Sequence, residues 1–120
     1  MKRVLQTKFG DDGNCLTASL ASALGLDLLD IPEITQDEWW LQLEAVLLGK
    51  GFFPVYVDEK QILKGYVPKG THLAGIDSPR SGLGLHSVVI EDGVIVWDPH
   101  PDQDGYGRPL RDITLLVKSA

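Results

Sequence analysis

The chain contains very little cysteine: one residue, Cys15, in a sequence of 120. A single cysteine excludes a disulfide bond within the chain, and scarce cysteine is typical of proteins in reducing compartments. We therefore expect a cytoplasmic protein in which Cys15 is a free thiol.

Basic residues are also few, and acidic residues outnumber them. Lysine and arginine together number 11 against 17 aspartates and glutamates, which gives a formal net charge of −6. Domains that bind nucleic acid normally present a clustered basic face, whereas here the basic residues are scattered along the chain. We therefore expect no nucleic-acid partner. The acidic charge does not exclude an enzyme that acts on peptides or small amides.

Long hydrophobic runs are absent as well. No segment approaches the roughly 18 apolar residues that a membrane helix needs, and no apolar signal-peptide core follows the first three residues. Hydrophobic residues make up 43% of the sequence, as in ordinary globular proteins. We expect a single domain over residues 1–120 with no membrane partner.

The secondary-structure signals divide into a helical first half and a strand-rich second half. Small and apolar residues followed by Gly25 predict a helix over 16–24, and Thr35 with Glu38 has the form of a capping box for a helix over 35–48. Residues 2–6 indicate a short strand or an extended entry. Further strands are predicted at 53–58, 71–77, 85–91, 94–97 and 113–117. Helices followed by antiparallel strands indicate an α+β fold.

Cys15 lies where a glycine-bearing acidic loop, residues 11–14, meets the first predicted helix. An ordinary thiol is mostly protonated at neutral pH, whereas a helix N-terminus and a nearby imidazolium both favour the thiolate. The alternative interpretation is a buried cysteine that acts as a small hydrophobic residue. The position makes Cys15 a candidate nucleophile.

His86 and Asp98 supply the other parts of such a site. His86 opens a strand of β-branched residues, a rigid support for a general base, and the preceding Gly84 and Leu85 are expected to border a substrate cleft. Asp98 closes the next apolar strand, where its carboxylate can accept a hydrogen bond from the imidazole and fix its tautomer. A partly buried strand histidine beside a turn aspartate is the alternative, but it leaves their joint occurrence with Cys15 unexplained.

The hairpin between these two strands offers a geometric test. If Asp92 and Gly93 form a two-residue turn, His86 pairs with position 99, and Asp98 faces the opposite side of the sheet. A three-residue loop with a bulge and a left-handed Gly93 instead pairs residue 90 with 94 and places His86 directly opposite Asp98. A Cys-His-Asp site therefore predicts the three-residue loop.

The order of these segments resembles a known family. The sequences Asp-Gly-Asn-Cys at 12–15, Gly-Leu-His-Ser-Val-Val-Ile at 84–90 and Val-Trp-Asp-Pro at 96–99 resemble papain-like cysteine peptidases, in particular small bacteriocin-processing (double-glycine leader) peptidase-like proteins. Residues 78–101 are also similar to small papain-like proteins of bacteria and phages. The resemblance implies a papain-like α+β fold in which a helix carrying the cysteine packs on an antiparallel sheet carrying the histidine and the aspartate.

The resemblance also implies roles for individual residues. Cys15 would be the nucleophile, His86 the base and Asp98 the orienting acid. Gln6, together with the backbone N–H of Cys15, would stabilise the oxyanion. Asn14 is the alternative side-chain donor, because Gln6 lies further from Cys15 along the chain than the corresponding glutamine does in the family.

The function that follows is a cysteine hydrolase, either a peptidase or an amidase, that acts on a peptide or protein tail through an acyl-enzyme. The alternative is a catalytically silent papain-like module that engages or inhibits a partner protein. The oligomeric state is left open by the sequence.

Metal binding is a rival use of the same side chains. Five residues carry atoms that could ligate zinc: Cys15, His72, His86, Asp98 and His100. None of them has the close pair spacing of zinc sites. The acidic residues of segment 98–105 resemble a calcium loop, but His100 and Arg111 occupy the positions of the first and last acids of an EF-hand loop, and a solvated turn is the expected structure there. We expect no metal and no cofactor.

Overall fold

The computed structural model describes residues 1–80 and 84–119, which form three α-helices packed on a five-stranded antiparallel sheet. The predicted α+β class is confirmed. The helices are α1 (Cys15–Leu24), α2 (Trp39–Leu48) and α3 (Glu59–Leu63). The strands are β1 (Phe52–Val57), β2 (Thr71–Asp77), β3 (Leu85–Glu91), β4 (Val94–Trp97) and β5 (Leu110–Lys118), in the spatial order β1-β5-β2-β3-β4. None of the helices in these ranges has the length and apolarity needed to cross a membrane.

Each face of the sheet carries its own hydrophobic core, because side chains alternate along a strand. On one face, α1 and α2 contribute the fully buried Leu20, Leu43 and Leu47, which pack with Leu73 of β2 and Val89 of β3. The opposite face is covered in part by Ile62 of α3 and consists of Ala74, Ile76, Val88, Ile90 and Ile113. His86 alternates with Val88 and Ile90 along β3 and pairs with Ile76, so its side chain lies on this second face, and Cys15 at the start of α1 meets it at the edge of the sheet.

The first helix agrees with the sequence prediction. It begins at Cys15, one residue before the predicted start, and ends at Leu24. Gly25 follows in the left-handed conformation with φ of 73°, and its backbone N–H donates to the carbonyl of Ala21. Glycine accepts this conformation without steric cost, which is why it ends the helix at this position.

The predicted start of the second helix is wrong. Thr35 and Glu38 form no capping box, because α2 begins at Trp39 and Glu38 has left-handed backbone geometry with φ of 55°. The side chain of Gln42 reaches back instead: it accepts from the N–H of Thr35 and donates to the Thr35 hydroxyl, both at 2.9 Å. This side chain holds residues 35–38 as a loop ahead of the helix.

Three other elements differ from the prediction. Residues 2–6 lie outside the sheet, and the N–H of Gln6 donates to the carbonyl of Pro99 at 2.9 Å. Asp58 does not end a strand but caps the short helix α3, accepting from the N–H of Gln61 at 3.2 Å. β5 begins three residues before the predicted strand, at Leu110.

The hairpin between β3 and β4 has a two-residue turn, so the predicted three-residue loop is wrong. Glu91 pairs with Val94 across Asp92 and Gly93. Both turn residues have positive φ, 51° and 83°, which is the geometry that matches the right-handed twist of the two strands.

A bulge in β4 follows this turn. Ile90 still pairs with Ile95, but the next pair is Val89 with Trp97, which leaves one extra residue in β4. An extra residue reverses the facing of everything that comes after it, because side chains alternate along a strand. Asp98 therefore lies on the same face of the sheet as His86, whereas a two-residue turn followed by a regular ladder would place it on the opposite face.

Candidate active site

The N-terminal part of α1 lies against a stretch of β3 that β4 leaves unpaired. β4 pairs with β3 only as far as Val89. Ahead of that point, the hydroxyl of Ser19 donates to the carbonyl of Ser87 at 3.1 Å, and the backbone N–H of Ser87 donates towards the sulfur of Cys15. The helix thus completes the strand edge and holds Cys15 against it.

Cys15 is the first residue of α1 and is partly exposed. The imidazole of His86 and the backbone N–H groups of Ser87 and Leu16 lie beside its thiol, close enough to act on its pKa. Burial raises the pKa of Cys15. The hydrogen bond and charge of His86 and the two N–H groups lower it by a larger amount, so the pKa lies below the ordinary value. These contacts favour the thiolate, the nucleophilic form of cysteine.

His86 connects Cys15 to Asp98. Nε2 of the imidazole lies 2.7 Å from Oδ1 of Asp98, and both side chains are buried, at 5% and 0% exposure. Because Nε2 is engaged, Nδ1 is the ring nitrogen left for the thiol. Burial lowers the pKa of His86, but hydrogen bonds and charge interactions with Asp98 and Cys15 raise it to about 9. The imidazole is therefore held as a cation beside the sulfur.

The bulge accounts for this contact despite the tight turn. With a regular ladder after a two-residue turn, Asp98 would face away from His86. The extra residue in β4 restores the shared face. His86 and Asp98 therefore share a face, as a Cys-His-Asp site requires. The cause is the bulge in β4 and not the predicted three-residue loop.

Residues 98–106 wrap around Asp98. Oδ1 also accepts the N–H of His100, and Oδ2 accepts the N–H of Gly105, both at 2.9 Å. The backbone N–H of Asp98 donates to the hydroxyl of Tyr106 at 3.2 Å, and its carbonyl accepts from Nε2 of Gln103 at 2.6 Å. Residues 101–104 are exposed, as expected for a solvated turn, and the backbone of the same segment forms a cage around the buried carboxylate.

This cage keeps Asp98 ionised. Burial raises the pKa of Asp98. The hydrogen bond and charge of His86 and the N–H groups of His100 and Gly105 lower it by a larger amount, so the pKa lies below its ordinary value. A carboxylate that remains charged can fix the tautomer of the imidazole and stabilise its cationic form.

Gly105 is a site residue that the sequence reasoning missed. A Cβ at this position would lie 2.7 Å from Oδ2 of Asp98 and 2.9 Å from Cδ1 of Ile76. Only glycine allows the backbone to approach the carboxylate this closely. The available signal was the Asp-Gly pair shortly after Asp98, which a solvated turn explains equally well.

A cavity of about 330 Å³ opens beside Cys15, between the start of α1, the loop ahead of α2 and the sheet. The predicted substrate-binding residues Gly84 and Leu85 line it together with Cys15 and His86. Its walls also include Leu16, Ile34, Trp39, Leu73, Asp112 and Thr114. The volume lies near the small end of the range for ligand pockets, roughly 300–1,000 Å³.

The two predicted oxyanion donors are not part of this lining, among the residues that the structure describes. Asn14 is buried, and its amide accepts from the N–H groups of Thr7 and Lys8 and donates to the Thr7 hydroxyl. Asn14 therefore shapes the loop ahead of α1. Gln6 is buried too, and Nε2 donates to the carbonyl of Lys8 at 2.9 Å, which leaves one N–H of the amide for another acceptor.

The five zinc candidates are not all gathered into one site. The ring of His72 is bonded to a backbone carbonyl and to the N–H of Leu116. The rings of His100 and His86 lie 6.2 Å apart, but Nδ1 of His100 accepts from the N–H of Asp102 at 3.0 Å. Within residues 1–80 and 84–119, no three His, Cys, Asp or Glu side chains are grouped so as to hold a metal ion.

Comparison with family models, with curated proteins and with solved structures found no match to this chain.

Proposed function

We propose that the protein is a cysteine hydrolase with a papain-like fold, in which Cys15 is the nucleophile, His86 the general base and acid, and Asp98 the orienting group. The observation that carries the proposal is that Asp98 is hydrogen-bonded to His86, whose imidazole lies beside the thiol of Cys15 at the start of α1. A cysteine that only fills space needs no imidazole partner. An adjacent imidazole is one of the groups that activate a thiol nucleophile.

The reaction follows from the charges of the site. The thiolate of Cys15 attacks the carbonyl carbon of an amide, an S–C bond forms, and one electron pair of the carbonyl moves to its oxygen. Protonated His86 then gives its proton to the leaving amine as the C–N bond breaks, which produces an acyl-enzyme. Neutral His86 next takes a proton from water, the oxygen of that water attacks the thioester, and the thiolate departs. Asp98 stays ionised and holds the imidazole throughout.

The oxyanion of the intermediate needs hydrogen-bond donors. The N–H of Cys15 is available, because the first N–H groups of a helix have no acceptor within it. Because Cys15 is the first residue of α1, the positive end of the helix dipole also lies next to the developing negative charge. Gln6 is the proposed second donor through the N–H that Lys8 does not occupy.

The proposed substrate is a peptide or a protein tail, with the acyl part in the cavity beside Cys15. The cavity joins apolar walls, including Leu16 and Ile34, to the sulfur. Access to the thiol favours an enzyme over the silent binding module, because a module that only binds a partner has no need for a reactive sulfur at a cavity mouth.

The proposal is tested by the rate at which iodoacetamide alkylates the protein as a function of pH. The chain has one cysteine, so the mass of the product reports on Cys15 alone. We expect the wild-type rate to reach half its maximum at a pH well below that of an ordinary thiol, and we expect His86→Ala to return the profile to the ordinary one.

His72→Ala is the matched control, because it removes an imidazole four residues along β2 from Ile76, the register partner of His86. Four strand residues correspond to about 13 Å. An ordinary profile in the wild type, unchanged in His86→Ala, would overturn the activated thiolate. A covalent adduct trapped from a lysate by wild-type protein and not by Cys15→Ala would extend the result from reactivity to substrate.

A further inference from the structure

The cavity contains a carboxylate that the proposed reaction does not use. Asp112 of β5 lines it, and its side chain leans over Gly75 of the neighbouring strand β2. A Cβ at position 75 would overlap Oδ1 of Asp112 and lie 3.2 Å from its Cγ. The missing side chain of Gly75 therefore provides the space in which this carboxylate sits.

The position of the Asp112 side chain over Gly75 brings its negative charge towards Cys15, the candidate nucleophile. Gly75 pairs with Asp112 on one side and with Ser87 on the other, so the three residues form a row across three adjacent strands. Neighbouring strands are about 4.8 Å apart, which puts the Cα atoms at the ends of this row about 10 Å apart. Ser87 is the residue whose N–H donates towards the sulfur of Cys15. The carboxylate lies between its own strand and that contact.

The described structure gives Asp112 a neutral donor but no cation. The hydroxyl of Tyr56 donates to Oδ2 at 3.1 Å. The adjacent Arg111 is engaged elsewhere, with Glu59 at 2.9 Å and Asp77 at 3.5 Å. Among the described residues that line the cavity, Asp112 is the only carboxylate and none is lysine or arginine.

We infer that Asp112 is a specificity-determining residue that selects an acyl group bearing a cation, either the side chain of lysine or arginine or an N-terminal ammonium. A cation in the cavity would pair with a partly buried carboxylate, where an ion pair is screened less than at the open surface. The apolar walls at Leu16, Ile34 and Trp39 suit the alkyl stem of such a side chain. The selection of a substrate rests on the proposed function, but the preference for positive charge does not require turnover.

The preference is measured with methanethiosulfonate reagents on the single thiol. The Cys15 thiolate attacks the sulfenyl sulfur, a mixed disulfide forms, and methanesulfinate leaves with the electron pair of the broken S–S bond. The readout is the ratio of rate constants for the trimethylammonium-ethyl reagent and the sulfonato-ethyl reagent. We expect Asp112→Asn to lower this ratio by roughly fivefold, the effect of one charge at about 8–10 Å in a partly solvated site.

Glu91→Gln is the matched control for net charge. It removes one negative charge at the far end of β3, five residues and about 17 Å from His86, and we expect it to change the ratio less than twofold. Asp112→Ser provides a second variant without the charge, in case Asp112→Asn does not fold. Tyr56→Phe keeps the carboxylate and should keep the preference. An unchanged ratio in both Asp112 variants, or an equal fall in Tyr56→Phe, would overturn the inference.

Peptide substrates separate this inference from the proposed function. Acyl groups ending in lysine, arginine or norleucine at the same position, each with a free or an acetylated N-terminus, identify which cation is selected. Hydrolysis without a charge preference would remove the inference and leave the hydrolase. A charge preference in labelling without hydrolysis of any peptide would support the role of Asp112 and remove the hydrolase.

Discussion

Nε2 of His86 and Oδ1 of Asp98 lie 2.7 Å apart in a region where both side chains are almost fully removed from solvent. The carboxylate cannot rotate away, because its two oxygens also hold the N–H groups of His100 and Gly105. The orientation of the imidazole is therefore determined by the loop that follows β4. The state of the thiol on α1 depends on this loop through His86.

Asp98→Asn is expected to weaken the activation of Cys15 while the fold is retained. An amide is uncharged, so it stabilises the cationic imidazole less, and alkylation at pH 6.5 should slow by roughly tenfold. The new NH2 group must also face one of the backbone N–H donors of the cage, which should cost about 1–3 kcal/mol in the free energy of unfolding. Urea unfolding and iodoacetamide kinetics measure the two effects separately.

Asp102→Asn is the control for this change, since it makes the same substitution on the same loop at a side chain that is 66% exposed. We expect it to leave both measurements within error of the wild type. Equal effects of the two substitutions would show that charge on the loop, rather than the contact with His86, governs the thiol.

Gly105→Ala tests whether the loop must approach the carboxylate closely. The added methyl group would meet Oδ2 of Asp98 at 2.7 Å and a side-chain carbon of Ile76 at 2.9 Å, so either the carboxylate or the loop must move. We expect a loss of about 1–3 kcal/mol in the free energy of unfolding and an alkylation profile shifted to higher pH. Gly49→Ala is the control, because the nearest atom to its Cβ would be at 3.5 Å. A shift of the profile in neither variant would mean that the loop position is irrelevant to the thiol.

The stability of the fold should depend on pH through His86. Its pKa is raised from 6.5 to about 9, so the protonated imidazole stabilises the folded state fully below pH 6.5, and this contribution is lost as the pH rises through 9. Asp98 acts with the opposite sign: its pKa is lowered from 3.8, so its contribution is present above that value and is lost as the pH falls through the lowered pKa.

This dependence is measured best in Cys15→Ser, where thiol ionisation no longer contributes. We expect the free energy of unfolding of Cys15→Ser to exceed that of Cys15→Ser/His86→Gln by an amount that shrinks by about 1–2 kcal/mol between pH 6 and pH 9.5. Chemical denaturation at the two pH values gives the difference. A difference that stays constant across this range would contradict a pKa of His86 raised by Asp98.

The parts of the fold that depend on neighbouring residues were predictable from the sequence. Gly25 ends α1 because glycine accepts a left-handed backbone, and the strands on either side of Asp92-Gly93 form the predicted hairpin, although the length predicted for its loop was wrong. The bulge in β4 was not predictable, because the extra residue lies in a run of β-branched residues that reads as a regular strand. The five-residue helix α3 was missed since it is too short to show a helical period.

Some residues of the candidate site were also predictable from the sequence, and others were not. The order and residue types of Cys15, His86 and Asp98 were sufficient to predict that these three residues meet. Gly105 and Asp112 closely approach residues distant in the chain, Asp98 and Gly75 respectively, and the proposed role of Asp112 rests on this approach. No local pattern marks a glycine that is needed for such an approach.

Ser19→Ala tests whether the contact between α1 and β3 positions the thiol. The Ser19 hydroxyl is fully buried and donates to the carbonyl of Ser87, whose N–H donates towards the sulfur of Cys15. Removal of the hydroxyl should cost about 1 kcal/mol of stability and should slow alkylation at neutral pH, because the helix loses the bond that fixes it to the strand edge. Ser22→Ala removes another fully buried hydroxyl of α1, one that bonds to Val4 and Ala18 instead. We expect Ser22→Ala to lose similar stability and to keep the wild-type alkylation rate, so a parallel loss of rate in both variants would argue against positioning by Ser19.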